Sequence, residues 1–187
     1  MDLASTFHGV VKIAQTALGP ESGWHSLVGY LEQQSSDSLP RLRSVNMQQD
    51  VEEIRRQLVE LIKGEPPPKN LNAIYFGLFD TAGEDGVEGI GYYVAGVKGF
   101  DPEDGDSLCN PAWWPEGRYL SSATLNAVKE AELSYAASGQ AEKRALLGYA
   151  GQLGAALLVS RFASIGLLPD LRRVVGFDSG DFAEIAT

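Results

Sequence analysis

The side chains best placed to do chemistry in this chain are carboxylates: Asp101, Glu103, Asp104 and Asp106 crowd into FDPEDGDSLC at 100–109. Hard oxygen ligands at that density could hold calcium or magnesium. Their spacing is not that of a twelve-residue EF-hand loop, however, and no later glutamate stands at its closing position. The same residues read equally as a solvated, turn-rich loop, or as a loop that addresses cationic groups on a partner. Cys109 ends the run and is the sole cysteine. A thiol nucleophile needs a base beside it, and the only histidines, His8 and His25, lie in the N-terminal helical third without a recognisable motif. Neither has a companion at i+4 that would make a zinc pair. The chain also lacks GxSxG, a Walker loop and a strand followed by GxGxxG. The expectation is a protein with no catalytic residues, no metal and no cofactor.

Large aromatics adjoin the acids. Trp113 and Trp114 stand in NPAWWPEGRYL, followed by Glu116. Neighbouring residues of an extended segment point to opposite sides, so one indole can cover the core while the other faces a partner as an anchor. Asp178 and Asp181 flank a Ser-Gly pair; they serve a turn, or extend the acidic surface if the last hairpin lies beside the central one. Residues 80–116 hold nine acids against the single base Lys98, which is eight of the chain's ten net negative charges. Such asymmetry favours basic partners and repels nucleic acid and anionic membranes.

The elements that must position these residues follow from periodicity. Leu3, Phe7, Val10, Val11, Ala14 and Leu18 mark a helix that ends at Gly19-Pro20. Ser22 can cap a second helix carrying Trp24, Leu27, Val28 and Leu31, with a polar loop from 33 to 40. Val51, Ile54, Leu58, Leu61 and Ile62 define a third, with Asp50, Glu52 and Glu53 at its positive end and Lys63 at the other. EPPPKN then breaks the pattern. Segments 71–79 and 89–97 are β-branched and aromatic and should form an antiparallel hairpin. Ser121 or Ser122 caps a helix to about 137, and a long helix follows over 141–165, buried through Leu146, Leu153 and Leu157. Gly148, Gly151 and Gly154 form a stripe on it for close approach of another element. Two short strands, 172–177 and 182–185, enclose the final turn.

At 187 residues, 44% hydrophobic and 21% charged, the chain is expected to form one domain, 1–187. It divides at the Pro-rich link into a helical N-terminal subdomain, 1–64, and an α+β core, 70–187. The expected fold class is α+β, with an antiparallel sheet from the central and C-terminal hairpins packed against the long helices. The uncharged run 145–160 is shorter than the roughly 20 apolar residues of a bilayer span, so it reads as a core helix. The N-terminus reads as an amphipathic helix and not a signal peptide, and a cytoplasmic location is the default expectation.

Three segments in this order, NAIYFGLFD at 72–80, GYYVAGVKGFDPEDGDSLCNPAWWPEGRYL at 91–120 and VVGFDSGDF at 174–182, resemble small bacterial immunity proteins of polymorphic or type VI-secreted toxin systems. The resemblance spans 72–182 and is one of style and element order. It implies no catalytic residues and a stoichiometric role: binding a cognate protein toxin with a basic surface, and covering or allosterically disabling its active site. The alternatives are a small divalent-metal enzyme built on 101–106 and a non-catalytic scaffold or regulatory protein. The expected partner contacts are Asp101, Glu103, Asp104, Asp106, Trp113, Trp114, Glu116, Asp178 and Asp181.

Overall fold

A computed structural model describes residues 2–82, 88–178 and 180–185. Helix α1 (Leu3–Thr16) is capped by Asp2, whose carboxylate accepts the Ala4 amide at 3.1 Å. Helix α2 (Pro20–Ser35) starts at its proline, two residues before the expected serine cap, because a fixed φ and a missing N–H suit the first turn. It also continues through the polar 33–35 stretch and stops where Ser36 turns left-handed, at φ 53°. A single turn, α3 (Pro40–Arg43), leads to α4 (Met47–Gly64), which begins a turn before the apolar pattern, at the Asn46 cap.

Asp50 lies in the first turn of α4 but serves another helix. Its carboxylate accepts the Ser122 hydroxyl (2.7 Å) and the amides of Ala123 (2.9 Å) and Thr124 (3.0 Å), at the start of α5 (Ala123–Ala137). Ser122 itself caps α5 by accepting the Leu125 amide. The orphan donors of α5 thus receive a full negative charge that is buried and satisfied.

The long helix α6 (Ala141–Ala163) is the hub of the molecule, touching α1, α2, α4, α5 and the sheet. Leu146, Leu153 and Leu157 are buried as expected. It is long and apolar enough to cross a membrane, but 72% of its most apolar window is buried inside the protein. A π-helical turn, Leu146–Gly151, interrupts it. The widened turn rotates the glycine stripe, so it serves two sets of neighbours: Gly148 and Gly151 face Glu132 and Val128 of α5, while Gly154 faces Leu27 and Val10 of α2 and α1.

Strands β1 (Ala73–Ala82) and β2 (Glu88–Val97) pair antiparallel, with Tyr75 opposite Ala95 and Gly77 opposite Tyr93. Residues 83–87, which include Glu84 and Asp85 and most of the expected connection, lie outside the described residues. Strands β3 (Arg172–Phe177) and β4 (Phe182–Ile185) form the second antiparallel hairpin. The sheet order is β2-β1-β3-β4, and β1 pairs with β3 in parallel. An α+β fold with a sheet packed on helices is therefore observed, but the wholly antiparallel sheet is corrected to a mixed one. Between the hairpins the chain crosses the sheet through α5 and α6, and that length of crossover returns a strand in its original direction.

Alternation divides the sheet cleanly. Ile74, Phe76, Leu78, Tyr92, Val94 and Val175 join Val10, Trp24, Ile54 and Leu153 in one continuous core, so the helices of 1–64 and the sheet share their interior. The opposite face carries a second, smaller cluster, with Tyr75, Tyr93, Phe100 and Val174 among its members.

Candidate functional site

Among the described residues, the cluster on that second face draws on no α-helix, only on the single 3₁₀ turn Gly105–Leu108 through Leu108. Residues 98–120 cover it in part, and their placement starts from the free edge of β2. Gly96 exchanges backbone hydrogen bonds with Trp113, the Val94 amide donates to Arg118 O, and the Leu120 amide donates to Tyr92 O. The segment is thereby extended, and its two indoles go to opposite sides. Trp113 is 7% exposed and donates from Nε1 to the Glu65 carbonyl, so it belongs to the core and leaves the expected contact surface. Trp114 is 47% exposed on the helix-free side. Glu65, the residue that ends α4, also fixes the next turn: its carboxylate accepts the amides of Glu116 (3.0 Å) and Gly117 (3.3 Å).

Trp114 stands in a built aromatic cluster. Its ring meets that of Tyr93 edge-on at 5.1 Å, and Tyr93 in turn contacts Tyr75 and Phe79. Gly77 makes room for this arrangement, since a Cβ there would stand 2.2 Å from the Tyr93 ring. The Arg118 guanidinium lies 4.5 Å from the Trp114 ring and 4.7 Å from that of Tyr119, which is itself 56% exposed. Arg118 is further held by its hydrogen bond to Pro115 O at 3.0 Å. Stacking between two π faces fixes a guanidinium without requiring a carboxylate.

The expected acids distribute unevenly around this cluster. Asp101 and Asp104 spend one oxygen each on the loop itself, accepting the amides of Glu103 (3.0 Å) and Asp106 (3.1 Å). They are the turn formers of an exposed acidic loop, with the carboxylates of Glu103, Asp106 and Glu116 also on the surface. Among the described residues, no three His, Cys, Asp or Glu side chains gather into a group that could hold a metal ion. Asp178 joins the aromatic cluster: its Oδ1 accepts the Tyr93 hydroxyl at 2.7 Å. Burial above all, with that hydrogen bond, raises the Tyr93 pKa, so the phenol remains a donor at neutral pH. Asp181 looks the other way, and its carboxylate acts on Tyr149 of α6. The two aspartates of the last turn thus serve opposite faces of the sheet.

Comparison of the chain with protein-family models, with curated proteins and with solved structures finds no match. Its site must be read from its own residues.

Reasoning from the sequence missed Tyr75, Tyr93, Arg118 and Tyr119, the residues that complete the surface. The available signal was the alternation of β1 and β2, which puts Tyr75 and Tyr93 on one face. It also missed a buried ion network. Lys129 Nζ lies 3.1 Å from Glu132, 3.2 Å from Asp80 and 3.7 Å from Glu88, while Glu132 also accepts from Gln152 and Arg144. Lys129 and Glu132 are each 5% exposed. Burial pushes the lysine pKa down, but its bonds to Glu132 and Asp80 outweigh this and raise it. A lysine held protonated in this way is not poised as a base or nucleophile. The network borders an open depression of about 570 Å³ and is satisfied from within.

Proposed function

We propose that this protein is a non-catalytic binding protein of the toxin-immunity kind, which docks a basic protein toxin on the helix-free face of its sheet. The observation that carries this reading is the stack of two exposed rings, Trp114 and Tyr119, about the half-buried Arg118 guanidinium. Trp, Arg and Tyr are the residue types in which interface hot spots concentrate, and here they present rigid rings and a pre-placed guanidinium, so little side-chain freedom remains to be lost on binding. Glu116 lies two residues from both Trp114 and Arg118, the loop at 101–106 is exposed as well, and the charge of these acids attracts a basic surface. Binding, not turnover, also fits carboxylates that are spent on turns, and a buried lysine that is saturated by acids.

The test is cellular and kinetic. Cells that express the toxin encoded beside this gene are protected by the wild-type chain, and the purified pair associates with a rate that falls as salt rises. Trp114→Ala raises the dissociation rate roughly 30-fold or more, the effect of losing about 2 kcal/mol at a hot spot. Asp104→Lys with Asp106→Lys lowers the association rate and flattens its salt dependence. Failure of the neighbouring gene product to bind or to intoxicate removes the immunity reading; full protection by the folded charge-reversed chain, with unaltered association, removes the acidic loop from recognition.

A further inference from the structure

Beside the stack, between the outer face of β1 and β2 and the segment that covers it, lies a cavity of about 650 Å³. Tyr75, Tyr93 and Trp114 wall it, Leu108 and Cys109 close one side, and Asp178 stands at its mouth. Two observations concern its occupant. First, among the described residues the only full charge in the lining is the Asp178 carboxylate, and no Lys, Arg or His contributes. Second, Tyr75 is 5% exposed overall and its side chain lines the cavity. A phenol oxygen presented to a cavity can accept a hydrogen bond from a donor that enters it. Tyr75, Cys109 and Asp178 line the same cavity.

The groups on offer are of one kind. Tyr93 already donates to Asp178, so its oxygen retains lone pairs alone. The Asp178 carboxylate accepts only, and Tyr75 can accept. The rings of Trp114 and Tyr93 meet at 69°, a corner of two π systems. Acceptors, a carboxylate and π faces together complement a cation that carries N–H donors. Trp114 already holds Arg118 over its ring, which shows that this indole takes a guanidinium in the protein's own packing.

We infer that this cavity receives a single long cationic side chain, an arginine or lysine of the partner protein, whose head group lies among Tyr75, Tyr93, Trp114 and Asp178. The surface stack then covers the entrance while the inserted side chain sets specificity, because a neutral residue would gain neither the attraction of the Asp178 carboxylate nor that of the aromatic faces. The identity of the donor as a protein rests on the binding role proposed above; the cation preference of the cavity does not.

The experiment uses the intact chain without any toxin. N-acetyl-arginine amide, N-acetyl-lysine amide and the neutral N-acetyl-citrulline amide are titrated while the Trp114 indole N–H and the amides around Asp178 are followed by NMR. One or both cationic amides give saturable shifts with a dissociation constant on the order of 1–10 mM, the strength of one desolvated cation–π and charged contact. Citrulline amide gives none. Asp178→Asn weakens the response roughly tenfold, and Tyr75→Phe, which removes the hydroxyl and keeps the ring, weakens it about threefold. Equal binding of citrulline and arginine amides, or cation binding unchanged in both variants, overturns the inference, as does the absence of any saturable shift. If cation binding holds and no protein partner depends on Asp178, the cavity stands and the partner assignment falls. If a partner binds through Trp114 but the amides do not bind, the cavity assignment falls and the docking surface remains.

Discussion

Trp113 and Trp114 differ by one position and by the side of an extended backbone they occupy, so one substitution has opposite consequences at the two. Trp113→Ala empties a core site and leaves the Glu65 carbonyl without its donor, and is expected to cost about 3–5 kcal/mol in denaturant unfolding. Trp114→Ala is expected to cost about 1 kcal/mol or less. Asp50→Ala strips the Ser122 hydroxyl and two α5 amides of their acceptor, and a loss of roughly 2–3 kcal/mol follows. The alternation that separates the tryptophans was legible from the sequence; which of them faces the core was not, because that depends on the edge of β2 against which the segment lies. Asp50 was legible as a helix-start acid, but its partner helix lies more than seventy residues away. Proton linkage acts at the same scale. The Lys143 ammonium and Tyr135 hydroxyl hold the Asp37 carboxyl below its ordinary range, and burial first, then Asp37, pushes Tyr135 up to about 12. A folded-state pKa below the unfolded one gives stabilisation that is present above the ordinary aspartate value of about 3.9 and is lost as pH falls through the lower folded value. Asp37→Asn should therefore flatten the fall in melting temperature below about pH 4, and leave the profile between pH 6 and 8 unchanged.

At the level of elements, periodicity located both hairpins and every helix but the single turn α3, and the C-terminal strands fall on 172–177 and 182–185 as expected. The parallel join of β1 to β3 was not legible. Each hairpin is specified by its own alternation and turn, whereas their mutual arrangement is set by how α5 and α6 lie across the sheet. The aromatic corner was hidden for a related reason: Tyr93 reaches it by lying over Gly77 of the neighbouring strand, a relation that exists only once register is known. Gly77→Ala must rotate that ring, so it is expected to weaken binding at the outer face together with a loss of about 1–3 kcal/mol in stability. The π-helical turn of α6 likewise escapes a reading based on 3.6-residue spacing, although Gly148 marks the place where Glu132 needs room. Lys129→Met leaves Glu132 buried without its main counter-ion and is expected to cost about 3–5 kcal/mol. Adding Glu132→Gln, which removes the stranded charge and keeps an acceptor for Gln152, should recover most of it. Chemical denaturation of the two variants separates ion-pair loss from packing loss.

Across the whole molecule, the charge asymmetry of residues 80–116 was the clearest message of the sequence, and the structure divides the acids it describes there between two tasks. Asp80 and Glu88 neutralise Lys129, while the acids of 101–106 and Glu116 remain on the surface. Hydrogen exchange should resolve the same division, with amides of β1 and α6 slowest and those of 98–111 opening at lower cost. Glu65 links these regions. Its backbone carbonyl holds Trp113 and its carboxylate holds the turn at 116–117, so the last residue of the N-terminal helical third is the mooring of the outer surface. Linkage is reciprocal: whatever clamps Trp114 from outside must also slow fraying of the final turn of α4, and fraying there must loosen that clamp by the same factor. A ligand on one face of the sheet would then be felt, amide by amide, in a helix it never touches, and Glu65→Ala, which keeps the carbonyl and removes the carboxylate, would cut the branch of that communication that runs through the 116–117 turn.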